Sequence, residues 1–188
     1  EVSENSTPSV QDILYSLENS KGENIILLSN HKDLIGICNQ AIELSKKKVS
    51  LISTKNFIEG ISAVLAYSSV KNFDLNIKSM NRAIEDIKTC FVKVSVKDVE
   101  FDGLHIKKGD FIGIIEDEIM AKSGKKDEVL KKIMASIDIK QRLVSVYTGN
   151  NIIMEDAVKL LNNLQEQFKE TEFDLIDSMG NDLVNVNK

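Results

Sequence analysis

Twice in the first third of the chain a short aliphatic run leaves through a polar turn into an amphipathic helix, and this alternation limits the fold more than any other feature. Asn24 to Ser29 is the first run and Val49 to Ser53 the second, each suited to a buried strand. After the first, Asn30 with Asp33 is expected to cap a helix carrying Leu34, Cys38, Ala41 and Ile42 inward, with Lys46, Lys47 and Lys48 at its negative end. After the second, Asn56 with Glu59 is expected to cap a helix through Ile61, Val64 and Leu65. Strand, helix, strand, helix requires parallel pairing with right-handed crossovers. A short docking helix precedes them, with Thr7 and Pro8 as cap and first turn and Val10, Ile13, Leu14 and Leu17 on one face.

The period changes after an amphipathic helix expected from Leu75 to Ile87. Val92, Val94 and Val96 alternate with Lys93, Ser95 and Lys97, the mark of a half-buried strand, and Asp102 with Gly103 makes a hairpin turn. Lys108 and Gly109 turn the chain into Phe111 to Ile115, and Asp117 with Glu118 reverses it into Ile119 to Ala121, so an antiparallel meander is expected. A helix from Asp127 to Ile137, a strand from Leu143 to Tyr147, a helix with Ala157, Leu160, Leu161, Leu164 and Phe168 on one stripe, and a strand from Phe173 to Ile176 follow. The fold class is α/β in two lobes of one domain spanning 1–188. A parallel βαβα lobe covers about 1–88, an α+β lobe with the antiparallel meander covers 89–180, the join falls near Lys88 to Cys90, and 181–188 is a loosely packed tail.

Composition narrows the partners. With 24 basic and 29 acidic residues the net charge is −5, so no basic field gathers nucleic acid or anionic lipid. No apolar run approaches the ~20 residues of a membrane span. Two cysteines, Cys38 and Cys90, make no disulfide scaffold and fit a reducing cytoplasm. The sequence starts at Glu1 rather than methionine, which suggests a piece of a longer polypeptide.

Catalytic motifs are missing. The nine glycines include no Gly-x-Gly pair and no Gly-Lys-Ser/Thr, so neither common nucleotide loop is present and no cofactor is expected in this piece. His31 and His105 stand at no metal-ligand spacing, and each cysteine reads as a small apolar residue without a base. No Gly-x-Ser-x-Gly elbow occurs, and Lys122 lacks the Met-Lys-Met or Asp-Lys-Ala context of lipoyl and biotinyl carriers. The constellation left is positional. In an open α/β sheet, ligands collect beyond the carboxyl ends of the strands, where helix N-termini aim free amides outward. Asn30 leaves the first strand, Thr54, Lys55 and Asn56 the second, and Thr148, Gly149 and Asn150 a later one. Lys55 is the natural partner for a carboxylate or phosphate there. The same residues also cap helices and solvate loops, which leaves the rim open between ligand binding and structure.

Four strings in order carry a resemblance. Thr7 to Leu14 looks like a domain-opening helix, Ile25 to Lys32 like its first strand and polar turn, Thr54 to Tyr67 like its most characteristic stretch, and Asp102 to Gly113 like its hairpin. From about Thr7 to Ile176 the chain resembles the C-terminal domain of the fatty acid kinase A proteins, DhaL-type kinases related to dihydroxyacetone kinase, a domain itself related to the DegV family. The resemblance implies a DegV-like fold and a division of labour. An upstream DhaL domain of the same chain holds ATP and magnesium, and a separate DegV-type protein presents the fatty acid. The parent protein is then one component of an ATP-dependent fatty acid kinase, and this domain serves assembly and docking rather than catalysis, as a monomer or homodimer. A DegV-like binder of a fatty acid or other carboxylate is the alternative. Where relatives end in Gly-Gly-Gln-Pro and an aromatic, this chain has Ser178, Met179, Gly180, Asn181 and Asp182, so no role is carried over for that segment.

Overall fold

The computed structural model describes residues 7–85, 87–137, 143–149, 153–180 and 183–187. The chain divides into two units, Glu1–Asp86 and Ile87–Lys188.

The first unit opens with α1 (Val10–Asn19), and its start is chemically specified. The Ser9 hydroxyl accepts the Asp12 amide at 3.2 Å, and the Asp12 carboxylate accepts the Ser9 amide at 2.8 Å. This reciprocal box satisfies two orphan helix donors and moves the cap from the expected Thr7 and Pro8 to Ser9. β1 (Asn24–Leu28), a 3-10 turn at Lys32–Leu34, α2 (Ile35–Leu44), β2 (Lys48–Ile52), α3 (Phe57–Leu65) and α4 (Phe73–Glu85) follow. β1 and β2 run parallel, from Asn24 beside Lys48 to Leu28 beside Ile52. α2 buries Cys38 and Ala41, as its periodicity requires. Ile52, Ala63 and Met80 form a core with Ile26, Leu28, Ile77 and Ile84.

Two expectations about this unit change. Asn30 does not cap with Asp33, because its own backbone is left-handed at φ 51° and His31 Nδ1 takes the Asp33 amide instead. The lysine run is not at the end of α2, which stops at Leu44 with Ser45 as cap; Lys48 opens β2, where its ammonium lies 3.5 Å from Asp74 and 4.7 Å from the Phe73 ring.

Sequence reasoning misses Asn76. Buried in α4, its side-chain oxygen accepts the Ser68 amide at 2.9 Å, and its nitrogen donates to the Ser68 and Lys71 carbonyls at 2.9 and 3.1 Å. It fastens the α3–α4 connection to α4. A signal exists: Asn76 sits one turn before Met80, a polar residue on the inward stripe of an amphipathic helix.

The second unit holds β3 (Lys88–Val94), β4 (Val99–Phe101), β5 (Leu104–Ile106), β6 (Phe111–Ile115), β7 (Glu118–Ser123), α5 (Lys126–Ser136), β8 (Leu143–Gly149), α6 (Met154–Gln167), β9 (Glu172–Gly180) and β10 (Leu183–Asn187). Its six-stranded sheet has the order β7-β6-β3-β10-β8-β9. β8 and β9 are parallel across the α6 crossover, and the other pairs are antiparallel. Lys88 to Cys90, the expected join, are the first residues of β3.

β4 and β5 form a separate hairpin turning at Asp102 and Gly103, with φ of 50° and 74°, as the Asp-Gly pair predicts. Val96 lies outside β3, which stops at Val94; the hairpin's base is closed by Ser95, whose amide donates to the Asp110 carbonyl and whose carbonyl accepts the Gly109 amide, each at 2.8 Å. Glu116 and Asp117, at φ 49° and 73°, turn β6 into β7 one residue earlier than expected.

Val129, Leu130, Ile133 and Met134 of α5 meet Cys90, Val92, Val144, Leu164 and Phe173 in the core. Gly113 lets α5 approach β6: a β-carbon there would lie 2.8 Å from both Val129 Cγ1 and Ile133 Cγ1. The segment expected as a loosely packed tail, 181–188, instead supplies β10, with Val184 beside Cys90 on one side and Val146 on the other. Leu183, Val184 and Val186 give it strand character, and long-range pairing, which local composition does not reveal, fixes its place.

Candidate functional site

Ser29 and Thr54 leave the carboxyl ends of two adjacent parallel strands, so the register alone brings their turns together. The buried Ser29 hydroxyl donates to the Thr54 carbonyl at 2.7 Å. Thr54 is wholly buried; its hydroxyl accepts the Asn30 backbone amide at 2.8 Å and donates to the Asn30 side-chain oxygen at 2.9 Å. The Asn30 side chain in turn lies against Gly60 of α3, where a β-carbon would sit 2.9 Å from Asn30 Cγ. Strand end, turn and helix are therefore stitched by one hydroxyl and one missing methyl.

The N-terminus of α3 carries its own anion. Asn56 caps it, accepting the Glu59 amide at 3.0 Å, as the spacing predicts. The Glu59 carboxylate returns to accept the Lys55 backbone amide at 2.6 Å and the Asn56 side-chain amide at 3.3 Å. Glu59 is 9% exposed, a carboxylate held by two N–H donors and the positive end of a helix. Lys55 is exposed and Asn56 half-buried.

Asn30, Thr54, Lys55 and Asn56 thus form one cluster in the first unit. Thr148 is placed differently from the expectation of a polar exit turn: it lies within β8 of the second unit, buried, beside Asp177 of β9. Asn150 lies outside the described residues.

Other chemistry is muted. Burial pushes the Cys38 thiol up and raises Cys90 from an ordinary 9.0 to about 12, the opposite of an activated nucleophile. Among the described residues no three His, Cys, Asp or Glu side chains gather at metal-binding distance, and no helix is long and apolar enough to cross a membrane.

Comparison with known proteins joins these observations to a family. The FakA-like C-terminal model, which describes the C-terminal region of the A-like component of fatty acid kinase, matches residues 1–182. Protein YloV of Bacillus subtilis is 30% identical over 169 residues, covering 89% of this chain and 31% of that protein. The chain thus spans about a third of the length of the curated relatives it matches. Among solved structures, the Streptococcus pneumoniae Fatty Acid Kinase B3 protein loaded with linoleic acid is similar at a TM-score of 0.64 and 15% identity, over 96% of this chain and 76% of that one. A DegV family protein from Corynebacterium glutamicum is similar at 0.65 and 14%, over 96% and 81%. At such identities the likeness establishes a DegV-like α/β fold.

Proposed function

The chain belongs to the FakA-like C-terminal family of fatty acid kinase, and from that membership we propose that it is the docking part of a longer cytoplasmic protein that phosphorylates fatty acids presented by a DegV-type carrier. Phosphoryl transfer then belongs to the remainder of that protein, which lies beyond the third of its relatives that this chain matches.

One observation carries the choice of docking over ligand binding: the Ser29 and Thr54 hydroxyls and the Lys55 backbone amide at the strand ends are already engaged, which leaves the exposed Lys55 ammonium as the charge at the rim. A bound carboxylate needs N–H or O–H groups aimed at it. The Ser29 and Thr54 hydroxyl protons go to the Thr54 carbonyl and to Asn30, and the Lys55 amide goes to Glu59. Glu59 sits where an outside anion would sit at the start of α3, so a ligand carboxylate there would meet a like charge with few donors left. The fold of a lipid carrier is kept while its rim is closed by internal bonds, which suits a surface for assembly.

Isothermal calorimetry of the 188-residue chain with a fatty-acid-loaded DegV-type carrier from the same organism tests the reading. A saturable complex is expected, with no acyl chain in solvent extracts of the purified chain. A chain that carries an extractable fatty acid, and that fatty acids stabilise against heat, would instead be the DegV-like binder.

A further inference from the structure

A cleft of about 430 Å³ opens in the first unit at the amino ends of its strands, away from the Ser29 and Thr54 rim. Asn24, the first residue of β1, and Phe73, the first of α4, belong to its lining, whereas Ser29 and Thr54 stand past the carboxyl ends of β1 and β2. α3 connects the two ends: it starts at Phe57 beside the rim and stops at Leu65, two residues before Tyr67 reaches the cleft. The volume is that of a small-molecule site, for which ~300–1,000 Å³ is usual. Bonds within the chain hold the cleft in shape, because buried Asn76 accepts the Ser68 amide and donates to the Ser68 and Lys71 carbonyls. The segment that presents Tyr67 and Lys71 is thus set before any ligand enters.

The lining defines the chemistry that fits. Met80 is 2% exposed and, with Ile26, gives the cleft an apolar base, while the Tyr67 ring is exposed and the Phe73 ring half-buried. Two rings and a thioether favour an aromatic partner, by offset or edge-on ring contact and by sulfur at the ring edge. A flexible chain laid in so open a cleft would lose internal freedom for partial cover, a cost that a rigid ring does not carry. Charge adds the second half. Lys71 is the single charged residue of the lining, in a chain of net −5. Its ammonium donates to Ser79 Oγ at 2.8 Å, which uses one of three protons. Asp74, the nearest acid in sequence, faces Lys48 at 3.5 Å. One ammonium balances one carboxylate, whereas a phosphate near −2 draws on more donors than a single lysine supplies.

We infer that this cleft is a binding site for a small aromatic carboxylate, its ring against Tyr67, Phe73 and Met80 and its carboxylate on Lys71. The inference is independent of the docking reading, since it concerns the amino ends of the strands and a small molecule rather than a partner protein.

The chain has no tryptophan, so the fluorescence anisotropy of 2-naphthoate reports its binding directly. Saturation with a Kd below about 1 mM is expected, ordinary for a ligand of this size. Lys71→Gln is expected to weaken 2-naphthoate by about fivefold or more while leaving the neutral 2-naphthalenemethanol within about twofold, and added salt to weaken only the former. Tyr67→Leu and Phe73→Leu are expected to weaken both probes by about threefold or more. Unchanged melting temperatures verify folding, and Tyr67 and Lys71 are both exposed, so at least these two substitutions leave the core alone. Absence of saturation overturns the inference, as does an equal effect of Lys71→Gln on the acid and the alcohol. If Lys55→Gln rather than Lys71→Gln releases 2-naphthoate, the rim is the site and the cleft is not. If decanoate displaces 2-naphthoate and binds more tightly, the cleft takes a flexible chain and the aromatic class is overturned.

Discussion

Thr54 holds Asn30 from two sides: its hydroxyl accepts the Asn30 backbone amide at 2.8 Å and gives its proton to the Asn30 side chain at 2.9 Å, fixing a non-glycine residue at φ 51°. Thr54→Val keeps the shape and removes both bonds at a wholly buried position. It is expected to cost about 1–3 kcal/mol, read as a lower urea midpoint with unchanged slope.

Gly60 answers the same side chain from α3. An alanine in a helix ordinarily gains about 0.5–1 kcal/mol over glycine, but here its β-carbon would run into the Asn30 amide group. Gly60→Ala is therefore expected to destabilise by about 1–3 kcal/mol. In an Asn30→Gly background the obstruction is gone, and the same substitution is expected to become neutral or favourable. A double-mutant cycle by urea unfolding measures the coupling; additive effects would break the proposed contact.

The β6–β7 turn places Glu116 in the left-handed region at φ 49°, which costs a residue with a β-carbon about 1–2 kcal/mol and which asparagine tolerates best among non-glycine residues. Glu116→Asn is expected to raise stability by about 0.5–1 kcal/mol, visible as a higher melting temperature than that of the parent chain.

Both thiols should be silent in the native state. Cys90 is raised to about 12 and Cys38 is raised as well, each by burial that penalises the thiolate. A disulfide dye at about pH 8, near the ordinary thiol range, is expected to label neither until denaturant is added, and then both. A raised folded value means that the contribution of Cys90 to stability is complete below its ordinary 9.0 and is lost as pH climbs toward about 12. Cys90→Ala should flatten that alkaline decline relative to the parent, measured as urea midpoints between about pH 8 and 11.

What the sequence disclosed was local. Asn56 and Glu59 stand three apart, Asp102 precedes Gly103, and the strands around them alternate, so each can be read where it lies. Ser9 and Asp12 obey the same spacing, and the neighbouring Pro8 draws the expected helix start too early. The tie between Asn30 and Thr54 cannot be read that way. It depends on β1 lying beside β2 in one register, and a threonine at a strand end looks the same whether its proton goes to a ligand or to a neighbour. Thr148 reads as a turn residue because Gly149 and Asn150 follow it, yet pairing with β9 carries the strand to Gly149.

β10 carries a consequence for how the second unit comes into being. Its five residues, near the end of the stretch, are the seam between a β7-β6-β3 panel and a β8-β9 panel. Until they emerge from the ribosome, each panel presents an unsatisfied inner edge able to capture a stranger's backbone. A premature stop or a protease cut ahead of Leu183 would thus do more than trim the molecule: it would leave two sticky half-sheets, a fate for chaperones and degradation rather than a shorter working domain.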